Sequence, residues 1–251
     1  MRSSFGRHES RPGLLTLTES TPPWVRAELH DMGYRVESRR RTSGPITAIW
    51  FDREHGTLWG GEFLQADYHG FERLAHLPAV PLPGGTRALL EPWRNTYAQL
   101  ATHCDWADLG HRHAGLDLVQ YLSGQPLDLV NRMMQQHLNS PLTSSCGRLF
   151  DAVAGALGVC REQISYEGQA AIELENLARR AQAEAAAYPF ALQDGVIGSA
   201  AMWTALLDDL AHGVDKARIA ARFQRGLAGA ICDCAAVQCA RLGLQTVALS
   251  G

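Results

Sequence analysis

The sequence predicts a helix-rich α/β protein with a small strand–helix–strand segment at its front. Alternating apolar and polar runs are concentrated in roughly the first sixty residues, whereas three- and four-residue apolar spacing dominates after the Pro81 to Gly85 loop. A chain of 251 residues that is 46% hydrophobic can also bury a sizeable core.

LLTLTE (Leu14 to Glu19) reads as a strand, Thr21 as an N-cap with Pro22 at the first helical position, and Gly33 as the stop of that helix. YRVESR (Tyr34 to Arg39) alternates like a strand, and ITAIWFD (Ile46 to Asp52) followed by TLWGG suggests two strands joined by a turn. This small unit is expected to occupy residues 1 to 56, with the main domain following from 57 to 251. PLPGG (Pro81 to Gly85) marks a loop.

Helices follow. Glu91 to Trp106 carries Trp93, Tyr97, Leu100 and Cys104 on one face, and Pro126 to His137 opens on a proline suited to a first turn. Ser144 or Ser145 is expected to cap a helix running to Leu157, with Asp151 away from its apolar face and Gly158 at its end. Further helices are expected from about Gln169 to Ala187 and from Ile197 to His212. Ile219, Phe223, Leu227 and Ile231 mark a core helix, and Leu244 to Gly251 a terminal buried strand.

Net charge is −3, so the sequence lacks the basic footprint of a nucleic-acid binder. No apolar run approaches the roughly 20 residues of a membrane span, and the first residues lack a signal-peptide core, so no membrane partner and a cytoplasmic location are expected. Six cysteines occur without C-x-x-C spacing, which favours reduced thiols over a zinc site. Cys232 and Cys234 are two apart on a helical pattern and point in different directions. His111 and His113 lie between Gly110 and Gly115, which reads as a loop, and neither is assigned a metal role. Arg39, Arg40 and Arg41 read as a solvated strand end.

Three stretches carry a family resemblance: Gly56 to Leu77 (GTLWGGEFLQADYHGFERLAHL), Leu138 to Val159 (LNSPLTSSCGRLFDAVAGALGV) and Ile164 to Glu175 (ISYEGQAAIELE). With AVPLPGG, EPWR and ARFQRGLA, they resemble the carbamoyl-transfer domain of HypF-type carbamoyltransferases. The resemblance implies a partial actin-like or Hsp70-like ATPase fold, shared with the tRNA threonylcarbamoyl transferases. It implies that ATP or carbamoyl adenylate is bound between Gly147 to Asp151 and Tyr166 to Gln169. Asp151 is thereby a nucleotide contact, a role that spacing alone would not give it. Glu167 and Gly168 belong either to the nucleotide loop or to an ordinary helix start. The small loop glycine would let backbone amides approach the ligand.

The family reaction implied is transfer of a carbamoyl group from carbamoyl adenylate to the C-terminal cysteine of a HypE-like partner in [NiFe]-hydrogenase maturation. The family's histidine-rich metal motif, a glycine-rich segment and the adenylate-forming domain are not found in these 251 residues. The expectation is therefore a piece truncated at both ends, with no metal ligands, no assigned catalytic residue and incomplete or absent activity. The alternatives are a noncatalytic fragment or an interaction module that keeps partner binding. Residues 1 to 61 also resemble a γ-glutamyltransferase tail, and GTLWGG is common to both patterns, which would suit a fusion.

Overall fold

The computed structural model describes residues 14–19, 21–39, 50–52, 57–59, 62–66, 71–181, 183–244 and 247. Two compact units are distinguished: Met1–Ala48 with Ala66–Gly70 and Ala248–Gly251, and Ile49–Gln65 with Phe71–Val247.

In the first unit, β1 (Leu14–Thr18) and β2 (Arg35–Arg39) pair in parallel around α1 (Pro23–Asp31), with Leu14 opposite Arg35. The helix starts one residue later than the sequence suggested: Pro22 holds the cap position and supplies no side-chain bond. Gly33, at φ +89°, turns the chain into β2 as expected.

The second unit begins with β3 (Trp50–Asp52), β4 (Thr57–Trp59), β5 (Glu62–Ala66), β6 (Phe71–His76) and β7 (Val80–Pro81). Its next elements are α2 (Thr86–Leu90), α3 (Pro92–His103), α4 (Trp106–Arg112), α5 (Asp117–Ser123) and α6 (Leu127–Gln135). Then come β8 (Leu142–Thr143), α7 (Cys146–Ala156), α8 (Gln169–Ala178), β9 (Ala191–Gln193), β10 (Val196–Gly198), α9 (Ala200–Ala211) and α10 (Lys216–Leu242). The strands form two four-stranded sheets, ordered β3-β4-β8-β7 and β5-β6-β10-β9. The first part of the expected Ile46 strand lies outside the described residues.

α3 is the centre of the core. The sequence pattern suggested one apolar face, but every residue from Pro92 to Leu100 is buried. Its polar side chains are accommodated because each finds a partner. Asn95 Nδ2 donates to Ala88 O at 2.8 Å, Gln99 Oε1 accepts from Trp203 Nε1 at 3.3 Å, and Arg94 Nε donates to Glu91 at 2.6 Å. Thr96 Oγ1 donates to Ala152 O at 2.9 Å, on α7. There the helices meet at Gly155, where an added Cβ would run into Thr96 Oγ1 and Pro92.

Other differences have local causes. The helix expected from Ile197 starts at Ala200 because Asp194 and Gly195, at φ +50° and +77°, turn β9 back onto β10 as a two-residue hairpin. The helix expected to reach Ala187 ends at Ala178, followed by a single 3-10 turn over Arg179–Ala181. His111 is helical rather than in a loop: Asp105 accepts from Ala107 N and Asp108 N and starts α4, leaving His113 as its C-cap. Leu244 and Val247 are not in a strand; the rest of the expected terminal strand lies outside the described residues.

α10 spans 27 residues and buries Ile219, Phe223 and Leu227 as the apolar spacing required, with Phe223 edge-on to Phe150 at 5.0 Å. An extended strap crosses it. Tyr188 N donates to Arg222 O at 3.1 Å and Tyr188 Oη to Asp209 at 2.6 Å, while Arg218 reaches Glu184 at 2.7 Å. Cys234 is the last buried residue of the helix. Cys232 is exposed, as opposite directions two residues apart demand.

Candidate functional site

β8 feeds directly into α7, and α7 leads through the 157–168 loop into α8, which packs against it. This arrangement brings together the two segments singled out in the sequence. Asp151 lies on α7, and Gly168 is the N-cap residue of α8.

Asp151 is not a solvated helix residue. It is only 1% exposed. Burial raises its carboxyl to about 6; Arg148 opposes this rise and the negative charge of Glu167 adds to it. Asp151 and Glu167 are therefore close enough to sense one another. Glu167 itself is exposed. Arg148 Nη1 lies 2.7 Å from Asp151 Oδ2, one helical turn away. The pair is not aligned as a hydrogen bond, and both atoms are buried without such a partner.

Gly168 sits at φ +80°, a left-handed conformation that favours glycine, and its Cβ position has nothing within 4 Å. The turn is fixed from α8. Gln169 Oε1 accepts from Ser165 N at 2.7 Å, and Gln169 Nε2 donates to Glu173 Oε1 at 2.8 Å. Glu173 also accepts from the Cys160 thiol. Burial, that hydrogen bond and the charges of Glu173 and Asp151 push Cys160 up to about 11. At ordinary pH it stays a protonated thiol that ties the loop to α8.

Ser145 occupies the cap position of α7 without making the side-chain cap expected of it. Ser144 Oγ instead bonds Glu62 at 3.2 Å. The first-turn amides of α7 thus lack a side-chain acceptor. A cavity of about 520 Å³ lies beside Gly158, lined by residues including Asp117, Tyr121, Arg161 and Lys216. None of Asp151, Glu167 and Gly168 lines it, although Cys160, whose thiol is bound to Glu173, does. Among the described residues, no three His, Cys, Asp or Glu side chains cluster as metal ligands, and no helix is long and apolar enough to cross a membrane.

Sequence reasoning did not single out Arg148, Cys160, Gln169 or Glu173. The Arg148–Asp151 spacing of three on a helix was a usable signal, as was the Gln169–Glu173 spacing of four. The Cys160 contact depends on the path of the loop and had no comparable signal.

The left-handed glycine at the start of α8 and the buried carboxylate on α7 lie on packed helices of a helix-rich α/β unit. The match of residues 54–251 to the carbamoyltransferase Kae1-like domain, second subdomain, makes the family specific, and the chain belongs to it. It is 50% identical over 124 residues to the carbamoyltransferase HypF of Rhodobacter capsulatus, covering 49% of this chain and 15% of that protein. It is 39% identical over 203 residues to a carbamoyltransferase HypF homolog of Cupriavidus necator, covering 78% of this chain and 50% of that one.

Two solved structures share the fold. Full-length HypF in its phosphate- and nucleotide-bound form superposes with a TM-score of 0.69 at 23% identity, over 93% of this chain and 38% of that one. HypF from T. kodakarensis gives 0.65 at 29% identity, over 78% of this chain and 26% of that one. The chain therefore spans half or less of the length of these relatives. The resemblance of residues 1 to 61 to a γ-glutamyltransferase tail gains no support from these comparisons, and the family match already takes in GTLWGG.

Proposed function

We propose that this chain supplies one wall of the nucleotide site of a HypF-type carbamoyltransferase, which moves a carbamoyl group from carbamoyl adenylate to the C-terminal cysteine of a HypE-like partner. The observation that carries this reading is the placement of Asp151 beside Glu167 and the open, left-handed Gly168 turn, within a chain of that family. The residues fit an adenylate. Asp151 Oδ2 and Arg148 Nη1 are buried polar atoms without hydrogen-bond partners, and the missing Cβ at Gly168 leaves its backbone approachable.

In this reaction the partner's thiolate sulfur bonds to the carbamoyl carbon, and the bond from that carbon to the phosphate oxygen breaks. AMP leaves with the electron pair. The acylphosphate is already reactive, so the chain's contribution is to position it and to exclude water.

Calorimetry on the full chain with a nonhydrolysable ATP analogue tests the site. Saturable binding that weakens in Asp151→Ala is the expected result. Equal affinity in both proteins removes Asp151 from the site, and absence of binding by the wild type removes the nucleotide reading. Transfer is followed by mass gain on the partner's C-terminal cysteine, with intact HypF as the positive control.

A further inference from the structure

Arg148 and Asp151 form a pair that is close, buried and poorly joined. The distance of 2.7 Å is that of a strong ion pair, yet Nη1 and Oδ2 are both without a hydrogen bond. A pair aligned as a bidentate fork would be costly to separate; this one leaves hydrogen-bonding capacity unused on both sides. Its two members are unequally placed. The Arg148 side chain is 16% exposed and that of Asp151 2%, so Arg148 is the less completely covered member.

The surrounding charges explain why an anion would draw on Arg148. Glu167 senses Asp151 from the loop, and Asp151 in turn senses Cys160, whose thiol is bound to Glu173 on α8. A phosphate entering here meets acidic groups, with Arg148 as the cation already at hand. Arg148 also stands in the first turn of α7, an 11-residue helix whose cap residue leaves the first-turn amides without a side-chain acceptor.

We propose that Arg148 is a specificity-determining residue that exchanges partners: it pairs with Asp151 in the free chain and turns to the α-phosphate of a bound adenylate, releasing the Asp151 carboxylate to the sugar. This deepens the nucleotide reading and rests on it. A planar guanidinium suits the task because it can grip two phosphate oxygens at once. The exchange also gives selectivity. A nucleoside without a phosphate offers Arg148 nothing in return for leaving Asp151.

The test compares AMP with adenosine, which differ by that phosphate, in calorimetric titrations of the full-length wild type, Arg148→Ala and Arg148→Lys. Arg148→Ala should lose about tenfold to a hundredfold in AMP affinity, the range of a charge-assisted hydrogen bond, while adenosine affinity stays level or rises. Arg148→Lys keeps the charge and should recover part of the AMP affinity; it also guards against misfolding caused by leaving Asp151 without its counter-charge. Melting curves are recorded for each protein. A parallel loss for both ligands identifies Arg148 as a structural residue and overturns the proposal, as does unchanged AMP binding in both variants. Absence of AMP and ATP-analogue binding by the wild type removes the underlying nucleotide reading as well, which separates the two failures.

Discussion

The hydroxyl of Thr96 on α3 reaches the carbonyl of Ala152 on α7 at 2.9 Å, one residue past the buried Asp151. α3 therefore holds the turn of α7 that carries the candidate carboxylate, and Gly155, one turn later, lets the two backbones come close enough for that bond. Thr96→Val keeps the shape but leaves the Ala152 carbonyl without this donor, so urea denaturation should show a loss of about 1 kcal/mol. Gly155→Ala forces a methyl group into Thr96 and should cost about 1–3 kcal/mol. A neutral Gly155→Ala variant would mean that α3 and α7 are not packed as closely as described.

Asp151 gives stability a defined pH dependence. Its folded-state carboxyl is raised from the ordinary 3.8 to about 6, chiefly by burial. Between these values the folded protein holds a proton that the unfolded chain has released, so this group's contribution falls as pH rises from about 4 to 6. The full effect is about 3 kcal/mol. In Asp151→Asn that slope disappears. Denaturation of both proteins from pH 4.5 to 7.5 should show the wild type losing ground to the variant as pH increases, and parallel pH profiles would contradict the assignment.

Gly168 separates conformational cost from contact. No atom lies within 4 Å of its Cβ position, so Gly168→Ala meets only the strain of φ +80°, about 1 kcal/mol. Asparagine tolerates this conformation better and should cost less. If the turn approaches the nucleotide, both variants should lose affinity for an ATP analogue by more than their stability losses account for. Calorimetry alongside denaturation distinguishes the two effects.

Metal content is a further check. Protein purified without added ions should contain substoichiometric iron and zinc by elemental analysis, because the family's histidine-rich metal motif is not found in these 251 residues. One equivalent of either metal per chain would require ligands that have not been identified.

Much of the architecture was legible because it follows from local chemistry. The fourfold spacing of Ile219, Phe223 and Leu227 has one low-energy solution, a buried helix face, and Gly33 can end α1 through its own φ. The start of α9 was misread although Asp194–Gly195 was visible, because Ile197 suits a strand and a helix equally well. The two candidate segments could be named from the sequence, and Asp151 lies close enough to Glu167 for their charges to interact. What periodicity could not convey was the burial of Asp151, since a helical pattern shows which residues share a face but not which neighbours cover it. The central position of α3 was hidden for the same reason: Asn95, Thr96 and Gln99 look like a solvent-facing stripe until their partners Ala88, Ala152 and Trp203 are known.

α10 is one continuous helix, but it is held unevenly. Its first half is packed into the core and crossed by the Tyr188 strap, whereas nothing beyond Cys234 is buried. At 1.5 Å per residue it extends roughly 40 Å, and its turns beyond Cys234 carry only half-buried and exposed residues. Backbone amides near Phe223 should exchange with deuterium only through global unfolding, and those after Cys234 through local fraying. The helix thus changes along its length from a structural beam to a segment that can unwind while the fold around Asp151 remains intact.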